Sequence, residues 1–223
     1  MDAFRVLPLG DAAAVASLGD EFSEAVNDRV MALAASLRAR PLPMPVRDVV
    51  PAIASLAVHV DPRRVRIEDL IDALAARAAG IARGPAEGER ARGATIHEIP
   101  VRYGGDEGPD LADVAAFAGL DAAGVIERHA GRVYRVYMLG FLPGFAYLGQ
   151  VDPSIAAPRR SSPRLDVPAG SVGIAGRQTG VYPQVSPGGW QLIGRTTSSM
   201  FDAASGRSLL QPGDRVRFVM ERR

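Results

Sequence analysis

The chain has 223 residues, a hydrophobic fraction of 47% and a formal net charge of +1. That permits one large or two small cored domains and gives no overall bias toward nucleic acid or membrane surfaces. It has no cysteine, and all 26 Lys+Arg positions are arginine. Disulfides, a thiol nucleophile, thiolate metal sites, a Schiff-base lysine and a Walker lysine are therefore excluded for this chain.

Arginine binds anions but does not serve as a base. No apolar run approaches the roughly 20 residues that span a bilayer. The opening MDAFRVLPLG lacks a signal-peptide core, so a cytoplasmic location is expected.

In chain order, residues 4–19 read as two short strands joined at Gly10-Asp11. Residues 21–39 place Phe22, Val26, Val30, Leu33 and Leu37 at spacings of four and three, one stripe of an amphipathic helix. Pro41, Pro43 and Pro45 close it. Leu56, Val58 and Val60 alternate in a half-buried strand over 54–60, and a second helix is expected over about 67–79. Strands and helices in this order predict a small α+β domain over 1–82. Residues 80–93, GIARGPAEGERARG, show no apolar period, so a linker is placed at 83–93 and a second domain at 94–223.

The second domain opens on a strand with Ile99, Val101 and Tyr103 on one face. Short helices follow at about 110–117 and 121–130, the first with acidic residues in its first turn. VYRVYML at 133–139 is a strand, and 214–220 supplies the last one, with Val216 and Phe218 inward. Between them, 138–196 holds 10 of the 24 glycines and 7 of the 17 prolines. Such a run dictates turns between short strands, and its apolar words have strand composition. Pattern alone gives a mainly β barrel or sandwich. Arg159, Arg160, Arg164, Arg177 and Arg195 meet only Asp152 and Asp166 within it, which suits an anionic ligand or an acidic partner.

The words GFLPGFAYLG, APRRSSPRLDVPAGSVGIAGRQTGVYP and SPGGWQLIGRT resemble the family of the 5-oxoprolinase B subunit. That family is also called allophanate hydrolase subunit 1 or carboxyltransferase subdomain C. ERHAGRVYRVYMLGF and MFD…LLQPGDRVRF agree in the same order. The resemblance is dense from about Asp110 to Phe218 and faint before Arg92. Thr197-Ser198-Ser199 replaces the family's usual Pro-containing continuation.

The resemblance implies a cyclophilin-like β-barrel for the second domain. It also implies one component of an ATP-dependent 5-oxoprolinase, converting 5-oxo-L-proline, ATP and water to L-glutamate, ADP and phosphate. Its implied partners are a homologous carboxyltransferase-type C subunit and a barrel-type A subunit. ATP would be shared with a partner. Other branches imply a component of a urea carboxylase or allophanate hydrolase system, or an inhibitor that binds a sensor histidine kinase. Prolyl isomerase chemistry is not implied, because the likeness to cyclophilin lies in the fold and not in the motifs.

The three histidines, His59, His97 and His129, show no HxxxH or HxH spacing, so no metal site is expected. His129 matches the family's histidine before the Tyr-rich strand, and at a helix C-terminus the dipole would favour its protonated form. It reads as a catalytic candidate or a helix cap. Arg164 is a guanidinium fork between prolines, suited to a carboxylate or phosphate, or else a solvated loop charge. Arg195 follows an apolar strand directly and is the second catalytic candidate.

Gln178, Thr179 and Tyr182 sit on a Gly-rich turn where polar groups can orient an amide ligand or bond within the turn. Ser186, Gly188, Gly189 and the lone Trp190 form a segment that a ligand can approach closely. Phe141, Pro143, Gly144, Phe145 and Tyr147 are either a pocket wall or plain packing. Together these loops predict one cavity, with Arg195 at its floor or rim.

Overall fold

The computed structural model describes residues 4–83 and 96–221. The chain divides into two compact units, Met1–Arg92 and Gly93–Arg223. The linker expected at 83–93 lies outside the described residues from 84 onward.

The first unit contains β1 (Arg5–Pro8), β2 (Ala13–Ser17), α1 (Glu24–Ala39), β3 (Val46–Pro51), β4 (Ser55–Val60) and α2 (Ile67–Arg83). Its antiparallel sheet runs β1-β2-β4-β3. Helix α1 starts where Ser23 Oγ accepts from the Val26 N–H at 3.3 Å. Its stripe of Val26, Val30, Leu33 and Leu37 is buried, and α2 contributes Leu70, Leu74 and Ala78 to the same core. Buried Asn27 donates to the carbonyls of Ala52 (3.3 Å) and Ile53 (3.0 Å), pinning α1 to the β3–β4 turn.

Two expectations need correction in this unit. Strand β3 has no counterpart in the sequence pattern. It is an edge strand bounded by Pro45 and Pro51, and proline is tolerated at a sheet edge because no ladder donor is needed there. Helix α2 runs on to Arg83 instead of stopping near residue 79. Ile81 packs against the core, which offsets the cost of about 1 kcal/mol for Gly80 inside a helix.

The second unit contains β5 (Ile96–Tyr103), α3 (Leu111–Ala118), α4 (Ala122–Ala130), β6 (Val133–Leu139), β7 (Ala146–Gly149), β8 (Arg164–Val167), β9 (Ser171–Ala175), β10 (Gln178–Val181), β11 (Ser186–Gly188), β12 (Gln191–Arg195), β13 (Phe201–Asp202), β14 (Arg207–Ser208) and β15 (Arg215–Met220). Strands in the order β10-β7-β6-β15-β5-β12-β9 close into a barrel, while β8–β11 and β13–β14 are separate ribbons. The β15–β5 pair is parallel and the other pairs in the barrel are antiparallel. Closure removes exposed sheet edges. The α+β unit followed by a mainly β barrel unit is the expected fold class.

The barrel core holds Ile99, Val101, Tyr134, Val136, Leu148, Ile174, Ile193, Val216 and Phe218, joined by Leu111, Val114 and Val125 from the helices. A second, smaller buried cluster contains Phe145, Val167, Tyr182, Trp190 and Leu192. This second cluster positions the candidate site.

Candidate functional site

Two glycines in the barrel strands make room for the aromatic cluster. A Cβ on Gly180 would stand 2.8 Å from the Ala146 carbonyl oxygen and 3.3–3.4 Å from the rings of Trp190 and Phe145. A Cβ on Gly173 would stand 3.0 Å from that of Trp190. Phe145 is the hub of the cluster. Its ring meets those of Phe141, Tyr147, Tyr182 and Trp190 edge-on, at centroid separations of 5.5, 4.9, 5.3 and 5.3 Å. T-shaped pairs of this kind contribute about 0.5–1.5 kcal/mol each beyond area burial.

These rings line an open pocket of about 260 Å³ together with Arg159, Pro163, Pro187, Gly188 and Gly189. Phe141 stands at its mouth, 59% exposed, with φ of +69°. A bulky residue in the left-handed region costs about 1–3 kcal/mol and persists where surrounding structure enforces it. Here Gly140 and Gly144 enforce it. The Gly140 N–H donates to the Phe145 carbonyl at 3.1 Å, and Gly144 (φ +84°) sits so close to Met200 and Phe201 that a Cβ would fall 2.7 Å from the Cβ of Phe201. Burial pushes the Tyr147 and Tyr182 phenols up, and the charge of Arg159 opposes that in both.

The wall of the pocket is braced by a buried carboxylate. Asp110 Oδ1 accepts from Arg160 (2.9 Å) and Arg164 (2.7 Å), and Oδ2 accepts from Arg164 (2.9 Å) and the Leu192 N–H (2.7 Å). The Asp110 N–H in turn donates to the Leu192 carbonyl at 2.9 Å. Asp110 holds the cap position of α3 without capping it. Its carboxylate is taken up by the arginine loop, while Asp113 is the acid in the first turn of α3, as expected. The arginines of 138–196 are not limited to acids within that stretch, because a carboxylate some fifty residues upstream takes up two of them. Three buried polar atoms on the pocket-wall segments have no protein partner: Arg160 Nε, Ser186 Oγ and Gln191 Oε1.

His129 lies elsewhere, fully buried inside the barrel. Thr179 Oγ1 donates its only proton to the Gly173 carbonyl (2.9 Å), so it accepts from His129 Nε2 (2.9 Å). His129 Nδ1 then accepts from the Tyr103 hydroxyl (2.8 Å). The ring stacks on Phe218 at 4.6 Å. Burial pushes its pKa down to about 3, which corrects the expectation that the helix dipole favours the imidazolium. A dipole contributes about 0.3–2 kcal/mol, and removal of a charge from water outweighs it. His129 is a neutral bridge between α4 and β10.

Arg195 lines a second depression of about 530 Å³ with Arg102, Glu107, Gly170, Pro183 and residues 196–199. Its Nε donates to the Ala169 carbonyl at 2.9 Å. Trp190 precedes β12 and Arg195 ends it, so at ~3.3 Å per residue the two lie roughly 16 Å apart along the strand.

Of the residues singled out from sequence, Phe141, Tyr182, Gly188, Gly189 and Trp190 meet at the aromatic pocket, while Arg195 opens on the polar depression. Arg164 is taken up by Asp110, and Thr179 faces His129. Gln178 starts β10 opposite Gly149, Ser186 is buried in β11, and Pro143 and Gly144 shape the loop behind Phe141. Sequence reasoning leaves Phe145 and Tyr147 ambiguous and misses the roles of Arg159 and Asp110. The Pro158–Pro163 bracket around two adjacent arginines is the available signal for Arg159. Among the described residues no group of three or more His, Asp or Glu side chains could hold a metal ion, and no helix is long and apolar enough to cross a membrane.

A family model for the carboxyltransferase domain, subdomain C and D, matches residues 4–210. The chain is 44% identical to the 5-oxoprolinase B subunit of Bacillus subtilis (strain 168), over 97% of this chain and 92% of that protein. The crystal structure of the conserved uncharacterized protein PH0987 from Pyrococcus horikoshii matches 97% of both chains at 46% identity, with a TM-score of 0.56. That of TTHA0988 matches 94% of this chain at 41% identity, with a TM-score of 0.77. The present chain spans only 40% of TTHA0988. This chain therefore belongs to the carboxyltransferase-domain family, subdomain C and D, and shares it with the B subunits of 5-oxoprolinases.

Proposed function

We propose that this chain is the B subunit of a cytoplasmic, heteromeric, ATP-dependent 5-oxoprolinase, acting with the C and A subunits. The observation that carries the reading is the 44% identity to a 5-oxoprolinase B subunit along nearly the whole of both chains. A lactam is a poor electrophile. Transfer of the γ-phosphoryl group to its carbonyl oxygen releases ADP and creates a leaving group. Water then adds to the former carbonyl carbon, the C–N bond breaks with the nitrogen taking up a proton to leave an acyl phosphate, and a second water displaces phosphate to give glutamate.

In this scheme the chain binds and orients the substrate. The aromatic pocket with Phe141, Tyr182, Gly188, Gly189 and Trp190 holds the ring, while Asp110 and Arg164 keep its wall in place. Arg195 opens on the separate polar depression, roughly 16 Å from Trp190 along β12, and there offers its charge to a nucleotide phosphate away from the ring. With no lysine and no Walker loop in the sequence, nucleotide handling is shared with a partner subunit.

The test is co-expression with the A and C subunits and assay of 5-oxoproline-dependent ATP hydrolysis. The complex is expected to turn over and the lone chain to show little or no activity. Full turnover by the lone chain overturns the shared-nucleotide scheme. An assembled but inactive complex overturns the 5-oxoprolinase reading in favour of the urea-linked or kinase-binding branches. In the active complex, Arg195→Ala is expected to reduce kcat/KM by roughly 1.5–3 kcal/mol with little change in melting temperature.

A further inference from the structure

We propose that the aromatic pocket binds a small, flat ring bearing a carboxylate, and that Arg159 is the residue that receives the carboxylate. The walls dictate the shape of the ligand. Rings of Phe141, Phe145, Tyr147, Tyr182 and Trp190 offer apolar faces and edges within about 260 Å³, below the roughly 300–1,000 Å³ typical of drug-sized ligands. A flat five- or six-membered ring suits such a space.

The charge follows from which arginine is free. An aromatic box by itself suits a cation, through the negative ring faces. Here Arg159 stands at the mouth, and none of the pocket's lining residues among those described is acidic, so a cationic ligand is repelled. Arg160 and Arg164 share Asp110, whereas Arg159 has no ion pair or hydrogen bond among the described residues. Arg159 is exposed and lines the pocket beside Tyr147 and Tyr182. One free guanidinium fork above an apolar floor matches one carboxylate.

This inference rests on the proposed function only for the choice of first probe, 5-oxo-L-proline. Trp190 is the only tryptophan in the chain and lines the pocket, so its fluorescence reports binding directly in the full-length protein. The wild type is titrated with 5-oxo-L-proline, 2-pyrrolidinone (the ring without carboxylate) and cyclopentanecarboxylate (the carboxylate without lactam). Arg159→Met is titrated with the two carboxylates. The carboxylates are expected to change the wild-type emission saturably. Pyrrolidinone should bind at least tenfold more weakly, and Arg159→Met should weaken carboxylate binding at least tenfold, as loss of a charge-assisted hydrogen bond requires. The variant keeps the side-chain stem and breaks no ion pair, so its melting temperature should match the wild type.

Pyrrolidinone binding as tightly as 5-oxoproline, or carboxylate binding unaffected in Arg159→Met, overturns the proposal. So does silence of Trp190 toward every probe. Arg159-dependent binding of cyclopentanecarboxylate beside an inactive reconstituted complex keeps the site and removes the 5-oxoprolinase reading. An active Arg159→Met complex with unchanged KM removes the site and keeps that reading.

Discussion

His129 Nε2 donates to Thr179 Oγ1 across 2.9 Å inside the closed barrel, joining α4 to β10. Thr179 passes its own proton to the Gly173 carbonyl, so the chain of bonds runs in one direction and requires a neutral imidazole. The folded pKa of about 3 lies below the ordinary value of 6.5. The unfolded chain takes up a proton as pH drops below about 6.5, whereas the folded protein does not until about 3. Stability from the neutral ring is therefore complete above about pH 6.5 and is lost as pH falls toward 3, by up to about 1.4 kcal/mol per pH unit. Denaturant unfolding of the wild type and His129→Gln between pH 7 and pH 4 checks this. The wild type should lose stability more steeply, and parallel slopes would disprove the assignment.

Asp110→Ala should destabilise the barrel unit by about 3–5 kcal/mol, because it leaves Arg160 and Arg164 without their carboxylate and frees the Leu192 N–H. Urea unfolding measures the loss. A change under about 1 kcal/mol would mean that solvent already screens the three-residue node.

A Cβ on Gly188 would fall inside contact distance of the Tyr182 hydroxyl, so Gly188→Ala must move either the phenol or strand β11. Overpacking of this kind costs about 1–3 kcal/mol, and the displaced ring narrows the pocket. A lower melting temperature together with altered Trp190 emission is the expected result. A variant with the wild-type spectrum and stability would show that the loop yields freely.

We propose that residues 83–93 link two separately folding domains. Trypsin should then cut first at Arg83, Arg90 or Arg92 and leave a stable C-terminal fragment starting near Gly93. Initial cleavage inside either unit would argue against that division. Mass spectrometry of the first products distinguishes the outcomes.

Much of the fold is legible because periodic burial writes itself into sequence. The stripe Val26, Val30, Leu33, Leu37 and the alternation Ile99, Val101 each state which face turns inward. Strand β3 is hidden because it is an edge with prolines at both ends and little alternation. The extent of α2 is hidden because glycine's local penalty is smaller than what distant packing of Ile81 supplies.

The site is legible in part. Its glycines and aromatics lie close in sequence, and local backbone chemistry already marks 138–196 as turns around a pocket-like segment. Residue identities alone establish that arginine is the chain's anion-binding side chain, that thiol and lysine chemistry are absent, and that Trp190 stands among glycines. Which arginine is free emerges only from the folded barrel. Asp110 reaches Arg160 and Arg164 from about fifty residues away and leaves Arg159 at the mouth, while barrel closure seals His129 away from any ligand. Such pairings depend on which strands become neighbours, and a carboxylate's partner across the barrel leaves no trace in the residues beside it.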